Sequence, residues 1–164
     1  MTVNSHKDID IIRTLYSQWL GLAQDESDFL INSAQFCALI KNSLADISWA
    51  GFYWYRQEQL LLGSFQGPVA CTRIALNKGV CGAAFRENKI QCIADVHQFS
   101  DHIACDANAA SELVIPIEYS GAVIGVFDID SYSQARFSAE MGAEMKKLIQ
   151  SFVEKTEFPK AIFP

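Results

Sequence analysis

The chain has 164 residues, half of them apolar, and a formal net charge of −6 at pH 7. This length is enough for one domain with its own hydrophobic core, and the composition is typical of a folded protein rather than a disordered one. The acidic balance and the lack of a lysine or arginine stripe argue against a nucleic-acid partner. We therefore expect a single domain over residues 1–164.

The N-terminus has no basic segment followed by an apolar stretch, so it does not resemble a secretory signal. No apolar run approaches the roughly 20 residues that span a bilayer. We expect a cytoplasmic protein without a membrane partner, in which thiols stay reduced. An odd number of cysteines fits poorly with a disulfide framework, and no Cys-x-x-Cys spacing indicates a structural zinc site. The five cysteines are Cys37, Cys71, Cys81, Cys92 and Cys105.

Two helices are predicted within about residues 7–45, because apolar side chains recur there at helical spacing. Ser27 is the expected N-cap of the second helix. The first helix has its apolar residues at Ile9, Ile12, Tyr16, Trp19 and Ala23. The second has two neighbouring stripes, one of Leu30, Ala34 and Cys37 and one of Phe29, Phe36, Ile40 and Leu44.

The middle of the chain predicts short strands with one small helix among them. The strands are expected at residues 48–55, 60–65, 71–76 and 90–93, and the helix at about 80–87, ended by Asn88. Gly67-Pro68 breaks the chain between the second and third strands. An irregular stretch follows at 94–110, and stretches of this length in compact domains are usually functional or disordered.

A hairpin of strands 113–119 and 122–130 comes next, followed by a C-terminal helix at about 138–156 with Ser138 as its cap. Sequential strands joined by short turns predict an antiparallel sheet. The fold class is therefore α+β, with a central antiparallel sheet and helices packed on one face.

The cysteines differ in their surroundings. We expect Cys37 and Cys92 to be small buried apolar residues, as most cysteines are. Cys105 lies in the polar stretch 94–110, which favours a functional thiol. Cys81 lies near the start of the short helix, where the helix dipole favours a thiolate. Cys71 follows the Gly67-Pro68 break.

Histidines are weaker candidates. His102 lies three residues before Cys105 and could supply a positive charge that lowers the thiol pKa. A histidine that close in sequence need not point at the thiol, however, so its role stays open. His97 and His6 rank below it.

Two carboxylates, Asp128 and Asp130, end the apolar run 123–130. On a strand they share one face and lie roughly 7 Å apart. Aspartate is disfavoured in strands and is seldom buried without a partner. One interpretation is therefore a binding site for a small polar ligand. The other is that the strand simply ends there and both acids are solvated.

The hairpin register decides whether Glu112 joins these aspartates. A two-residue turn at Ser120-Gly121 would place Glu112 opposite Ile129. A three-residue loop over residues 119–121 would place it opposite Asp128 on the same face, and the position of Gly121 favours this second arrangement.

A cluster of Glu112, Asp128 and Asp130 could bind an ammonium group, and crowding could raise one carboxyl pKa enough to retain a proton. That proton could then be donated to a leaving oxygen. Trp49 and Tyr53 share a face of the first strand and could wall such a site or contact a cation. They could equally be ordinary core residues.

Several dispersed segments together resemble the free methionine-(R)-sulfoxide reductases, which are single GAF domains. The resemblance extends from about residue 27 to 152. The matching segments are ISWAGFY (47–53), FQG (65–67), GVCG (79–82), DVH (95–97), HIACD (102–106), SE (111–112) and GVFDIDS (125–131). Two features depart from the family: Cys37 and Cys92 match no catalytic position, and Phe127 stands where a leucine is expected.

The resemblance implies a GAF-like fold and a role for each candidate thiol. Cys105 would be the nucleophile, Cys71 the resolving cysteine and Cys81 an auxiliary resolving thiol. Catalytic and substrate-binding acids would be Glu112, Asp128 and Asp130, with Trp49 and Tyr53 beside them in the pocket.

The implied reaction reduces free methionine sulfoxide through a cysteine sulfenic acid and an intramolecular disulfide, with thioredoxin as the reductant. It requires no metal and no organic cofactor, and the resemblance suggests a homodimer. Two other interpretations stay open: a non-catalytic GAF sensor of a small ligand or redox state, and a redox-regulated interaction module. Sensor domains usually lie in longer chains with an output domain, which favours the enzyme.

Overall fold

A computed structural model of the chain describes residues 3–99, 107–160 and 162–163. Within these ranges the helices are α1 (Val3–Leu22), α2 (Phe29–Ser43), α3 (Gly79–Glu87) and α4 (Ala139–Lys155), with one 3-10 turn at Val96–Gln98. The strands are β1 (Trp49–Arg56), β2 (Gln59–Gln66), β3 (Arg73–Ala75), β4 (Gln91–Ile93), β5 (Ser111–Tyr119) and β6 (Ala122–Ser131). Every predicted helix and strand is present, with bounds shifted by a few residues.

The six strands form one sheet in the order β3-β2-β1-β6-β5-β4. All neighbouring strands are antiparallel, and β1 and β6 lie at the centre. The predicted α+β class with an antiparallel sheet is therefore confirmed. Among the described residues, none of the helices combines the length and apolar character needed to cross a membrane.

The two faces of the sheet are covered differently. Because side chains alternate along a strand, Phe52 and Trp54 of β1 face one side, and Trp49 and Tyr53 face the other. The first face packs against α2 and α4, which in turn pack against α1, in the larger core. The second packs against α3 in a smaller cluster. The three long helices thus share one face, as predicted, and the short helix α3 lies over the opposite face.

The larger core is dominated by aromatic rings. Phe52 has its ring centroid 4.7 Å from that of Phe127 and 4.8 Å from that of Phe152. Trp19 of α1 meets Phe36 of α2 edge to face at 5.1 Å, a geometry that aromatic pairs favour. Phe127, the departure from the family pattern, is therefore buried in this core on the face away from α3.

The first two helices form as predicted, but some details of the prediction are wrong. Leu15 is buried in place of Tyr16, which is 38% exposed. In α2 the stripe that includes Phe36 and Ile40 faces the core, whereas Leu30 is exposed and so is Ala34.

The N-cap of α2 is Asp28 rather than Ser27. Its Oδ1 accepts hydrogen bonds from the backbone N–H groups of Leu30 and Ile31, at 2.8 and 3.0 Å. Ser27 instead uses its carbonyl to accept a hydrogen bond from the Glu157 backbone N–H. The cap of α4 is Ser138, as predicted, and its Oγ accepts from the Met141 N–H.

The β5–β6 hairpin turns through two residues, Ser120 and Gly121, both with positive φ. Such a turn is typical of tight hairpins. A bulge follows, because the pairing shifts from Glu118 opposite Val123 to Ile117 opposite Gly125. The extra residue lies on β6.

The turn and the bulge together set the register of the acids. Glu112 lies opposite Asp130, and Val114 lies opposite Asp128. Both predicted pairings, with Ile129 and with Asp128, are therefore wrong. The predicted three-residue loop is also wrong, yet Glu112 does share a face with the aspartates because the bulge restores the alternation.

Candidate active site

A pocket opens on the α3 face of the sheet, between the central strands, the start of α3 and the segment 68–70. The space between its walls amounts to about 570 Å³, a volume that includes open solvent. None of the described residues lining it is a lysine or arginine. The predicted site residues that line it are Trp49, Tyr53, Cys81, Glu112, Asp128 and Asp130.

Three side chains at the floor of this pocket form what we call the acid–thiol cluster: Cys81, Glu112 and Asp128. The Cys81 Sγ lies 3.4 Å from Asp128 Oδ2 and 3.9 Å from Glu112 Oε1. Their exposures are 3%, 7% and 6%, so all three are buried. Because buried acids are rare without a compensating partner, such a cluster is unusual.

Local structure brings Cys81 to the acids. It is the third residue of α3, which lies directly against the turn after β3. Gly82 makes this contact possible, since a Cβ there would lie 2.6 Å from the Leu76 carbonyl oxygen. Glu112 and Asp128 come from the neighbouring strands β5 and β6, on the face that α3 covers.

Burial raises the pKa of the Cys81 thiol well above its ordinary value, and the charges of Asp128 and Glu112 raise it further. The prediction that the helix dipole favours a thiolate here is therefore wrong. A dipole contribution at a helix terminus is worth about 0.3–1 kcal/mol. Desolvation and two adjacent acids outweigh it.

The acids hold protons unusually well. Burial raises the pKa of Asp128 to about 7, although hydrogen bonds from Cys81 and Glu112 partly oppose the shift. Burial raises the pKa of Glu112 well above its ordinary value, and the charges of Asp128 and Asp130 add to the effect. A carboxyl that titrates near neutral pH can donate a proton in a reaction.

The interpretation that both aspartates are solvated is wrong for Asp128. Its Oδ1 is buried and, among the residues that the structure describes, has no hydrogen-bond partner. Asp130 is half-buried and lines the same pocket. The acids thus face the pocket, in which a ligand would meet them.

Trp49 and Tyr53 are at once core residues and pocket walls. The Trp49 ring stacks between Tyr53, at 5.8 Å, and Phe65, at 5.4 Å. It lies across Gly51, where a Cβ would come within 2.5 Å of the indole ring. The indole Nε1 is buried and has no hydrogen-bond partner within the described ranges.

Tyr53 also connects the pocket to a candidate redox cysteine. Its hydroxyl donates a hydrogen bond of 2.9 Å to the backbone carbonyl of Cys71. Burial raises the pKa of Tyr53, and the neighbouring charge of Asp128 adds to the shift. The phenol therefore stays protonated and keeps its hydrogen to donate.

The cysteines are in two states. Cys71 is disulfide-bonded, whereas Cys37, Cys81 and Cys92 are free. The predicted nucleophile Cys105, and with it His102, lies outside the described residues.

Burial was predicted for both cysteines that match no catalytic position of the family, Cys37 and Cys92, and the two outcomes differ. Cys37 is buried, as expected, and its thiol donates to the Ser64 carbonyl at 3.1 Å. Cys92 is exposed, so its predicted burial is wrong, because β4 is a three-residue strand at the edge of the sheet. His97 is exposed, with its ring nitrogen 2.9 Å from Asp95, and does not line the pocket.

The apolar part of the pocket wall was not predicted from the sequence. Pro68, Val69 and Ala70 lie at its mouth, where Val69 is 88% exposed. The only sequence signal near them is the Gly67-Pro68 break between the second and third predicted strands. Ile74, Val80 and Ala109 complete the wall.

Comparison with known proteins connects this site to a family. Residues 33–150 match the model of the GAF domain. The free methionine-R-sulfoxide reductase of Escherichia coli is 45% identical over 129 residues, which cover 79% of this chain and 78% of that protein. The enzyme of the same name from Saccharomyces cerevisiae is 39% identical, over 74% of this chain and 72% of that protein.

Solved structures agree. The free methionine-R-sulfoxide reductase of Neisseria meningitidis, in complex with its substrate, superposes with a TM-score of 0.86 at 34% identity. The match covers 90% of this chain and 89% of that one. This chain therefore belongs to the GAF domain family and, within it, to the free methionine-R-sulfoxide reductases.

Proposed function

We propose that this protein reduces free L-methionine-(R)-sulfoxide to L-methionine. The observation that carries the proposal is a buried cluster of acids and a thiol under aromatic walls, in a chain that belongs to this reductase family. The stereochemistry rests on the family alone.

The acids account for a preference for the free amino acid. A free methionine sulfoxide carries an ammonium group that Asp128, Asp130 or Glu112 can bind, whereas a methionine within a peptide has no such charge. Burying the acids against a ligand without that charge would leave them unpaired, which is costly. Trp49 and Tyr53 would contact the apolar part of the side chain.

The chemical step requires a nucleophile and an acid. The Cys105 thiolate attacks the sulfoxide sulfur while a protonated carboxyl of the cluster transfers its proton to the sulfoxide oxygen. Methionine leaves, and Cys105 retains the oxygen as a sulfenic acid. The raised pKa values of Glu112 and Asp128 support their role as the proton source.

Cys71 then attacks the Cys105 sulfur, which gives a disulfide and one molecule of water. The disulfide-bonded state of Cys71 in the structure supports its role as the resolving thiol. Cys81 is free, and its raised pKa disfavours it as an attacking thiol, so we assign it the auxiliary role.

Thioredoxin would return the disulfide to the dithiol, and no cofactor is required. We also propose that the protein works in the cytoplasm as a homodimer. Light scattering on the purified protein would measure the oligomeric state. Coupling turnover to NADPH through thioredoxin and its reductase would test the reductant.

The deciding experiment compares three cysteine variants in the thioredoxin-coupled assay, with each epimer of free methionine sulfoxide. We expect Cys105→Ser to abolish turnover. Cys71→Ser should release about one equivalent of methionine per protein and then stop. Cys92→Ser, an exposed thiol away from the pocket, should retain normal activity.

Turnover retained by Cys105→Ser would remove the proposed nucleophile. Saturable binding of methionine sulfoxide by the wild-type protein without any methionine release would instead identify a sensor. Mapping the disulfide by mass spectrometry after one turnover would show which cysteine pairs with Cys105.

A further inference from the structure

We propose that the acid–thiol cluster of Cys81, Glu112 and Asp128 is a binding site for one thiophilic divalent cation, with Zn²⁺ as the best fit. The ion would occupy the floor of the pocket and exclude the cationic end of an amino acid. Binding of the ion is inferred from the geometry of the cluster. Only the effect of the ion on activity rests on the proposed function.

The spacing of the three donor atoms matches a tetrahedral metal site. One ligand atom from each residue lies within 4.8 Å of the other two, and the Cys81 Sγ is 3.4 and 3.9 Å from the two carboxylate oxygens. Zinc bonds of about 2.3 Å to sulfur and about 2.0 Å to oxygen place such donors roughly 3.5 Å apart at tetrahedral angles. The two sulfur–oxygen distances therefore lie within about 0.4 Å of those in such a site.

A second observation is that one acceptor atom of the cluster has no hydrogen-bond partner among the described residues. Asp128 is 6% exposed, yet its Oδ1 has no hydrogen-bond partner within the described part of the chain. None of the described residues lining the pocket is a lysine or arginine. An acceptor that is buried and unpaired carries a desolvation cost, and a cation that binds it would remove that cost.

The donor types select the metal. A thiolate with two carboxylates suits Zn²⁺ and related ions, whereas Mg²⁺ and Ca²⁺ prefer oxygen ligands alone. On binding, the Cys81 thiol releases its proton to solvent as the metal–sulfur bond forms. Three protein ligands leave one coordination position open towards the pocket, as in catalytic rather than structural zinc sites.

The mixed donor set explains why the spacing of cysteines gave no sign of this site. A structural zinc site would show paired cysteines, but here a helix contributes one thiol and two strands contribute one acid each. Residues 81, 112 and 128 come together only in the folded chain.

Cobalt(II) chloride is a suitable probe, because a cobalt–thiolate bond gives a charge-transfer absorption that a cobalt–carboxylate bond does not. The titration uses the full chain without reductant, so that Cys71 stays disulfide-bonded. We expect one equivalent to bind with a thiolate band and Zn²⁺ to displace it. Cys81→Ser should lose the band, and Cys92→Ser should keep it with unchanged affinity.

Glu112→Gln and Asp128→Asn keep the thiol, so they should retain the band with an affinity weaker by about tenfold or more. A band that survives in Cys81→Ser, or the absence of saturable binding by the wild-type protein, would overturn the proposal. Thermal melts of each variant establish that it is folded.

A reductase assay with added Zn²⁺ separates this proposal from the proposed function. Turnover without metal binding would overturn only the metal site. Metal binding without turnover would overturn only the reductase. If both hold, Zn²⁺ should raise the apparent KM for methionine sulfoxide, because the two ligands compete for the same acids.

Discussion

The two faces of the sheet show opposite uses of burial. Under α1, α2 and α4, the sheet buries aromatic and aliphatic side chains whose removal from water stabilises the fold. Under α3, beside a smaller apolar cluster, it buries a thiol and two acids, whose removal from water is unfavourable. The first face maintains the structure, and the second holds two carboxyl groups whose pKa values are raised above their values in water.

Two buried cysteines, Cys37 and Cys81, show the same contrast. Burial raises the pKa of both Cys37 and Cys81. Cys37 donates to a backbone carbonyl in an apolar environment, whereas Cys81 faces two carboxyl groups. Burial alone therefore does not distinguish a structural thiol from a pocket thiol, but the acids beside it do.

The largest expected effect on the free energy of unfolding comes from the apolar face of the sheet, the one under α1, α2 and α4. Phe52 is fully buried and contacts Phe36, Phe127 and Phe152. Phe52→Ala should lower the free energy of unfolding by about 3–5 kcal/mol, measured by urea denaturation. A loss below about 1 kcal/mol would mean that this face does not carry the stability that we assign to it.

A smaller effect on stability, which depends on pH, is expected on the α3 face of the sheet, where Asp128 is buried. Since the folded pKa of Asp128 is raised to about 7 from an unfolded value near ~3.9, the folded state binds more protons between these values. Its contribution to stability is therefore fully present below about pH 4 and declines as pH rises towards 7.

Asp128→Asn should remove this decline. Relative to wild type, the variant should gain roughly 2–4 kcal/mol of stability between about pH 4 and pH 8, because the amide is never charged. Chemical denaturation at several pH values measures the difference. A difference that is flat with pH would mean that Asp128 titrates normally. Turnover should fall sharply in the same variant.

A third prediction concerns the connection between the pocket and Cys71. Tyr53→Phe removes a single hydrogen bond, worth about 0.5–1.5 kcal/mol, so it should slow formation of the Cys71 disulfide by up to about tenfold. Rapid-quench single-turnover experiments would separate this step from methionine release, which should change less. Tyr55→Phe on the same strand is the matched control, since Tyr55 is exposed and does not line the pocket.

The smallest expected effect tests the cap of α2, which covers the apolar face. Asp28→Ala should cost about 1 kcal/mol, because the backbone N–H groups of Leu30 and Ile31 lose their acceptor. Ser27→Ala should have no measurable effect on the melting temperature. The reverse result would show that the sequence-based choice of Ser27 was right.

The order and type of the elements could be predicted because each is determined locally. Apolar periodicity specified α1, α2 and α4, an aromatic-rich run specified β1, and an apolar run specified β6. The prediction was wrong where it depended on which of two adjacent residues is buried or caps a helix. Leu15 is buried rather than Tyr16, and Asp28 caps α2 rather than Ser27. There, tertiary contacts such as the hydrogen bond from Glu157 to Ser27 decide the outcome.

The residues of the site could be predicted from the sequence, but their arrangement in space could not. The family resemblance predicted Glu112, Asp128 and Asp130 in one pocket, whereas both hairpin registers considered from the sequence were wrong. The proximity of Cys81 to the acids was not predicted, because it depends on how α3 docks over the sheet. The raised pKa of Cys81 also required the structure, since the helix dipole alone predicts a shift in the opposite direction.

The bulge in β6 has a consequence for how this hairpin tolerates change. Exposed loop tips usually accept insertions and deletions readily. Here a slip of β5 against β6 by one residue would place Glu112 opposite Ile129 or Ser131 and turn it out of the pocket, because such a slip exchanges the two faces of a strand. A change in length that the loop absorbs would keep Glu112 opposite Asp130. Length variation in this hairpin is therefore compatible with the site only where this pairing is kept.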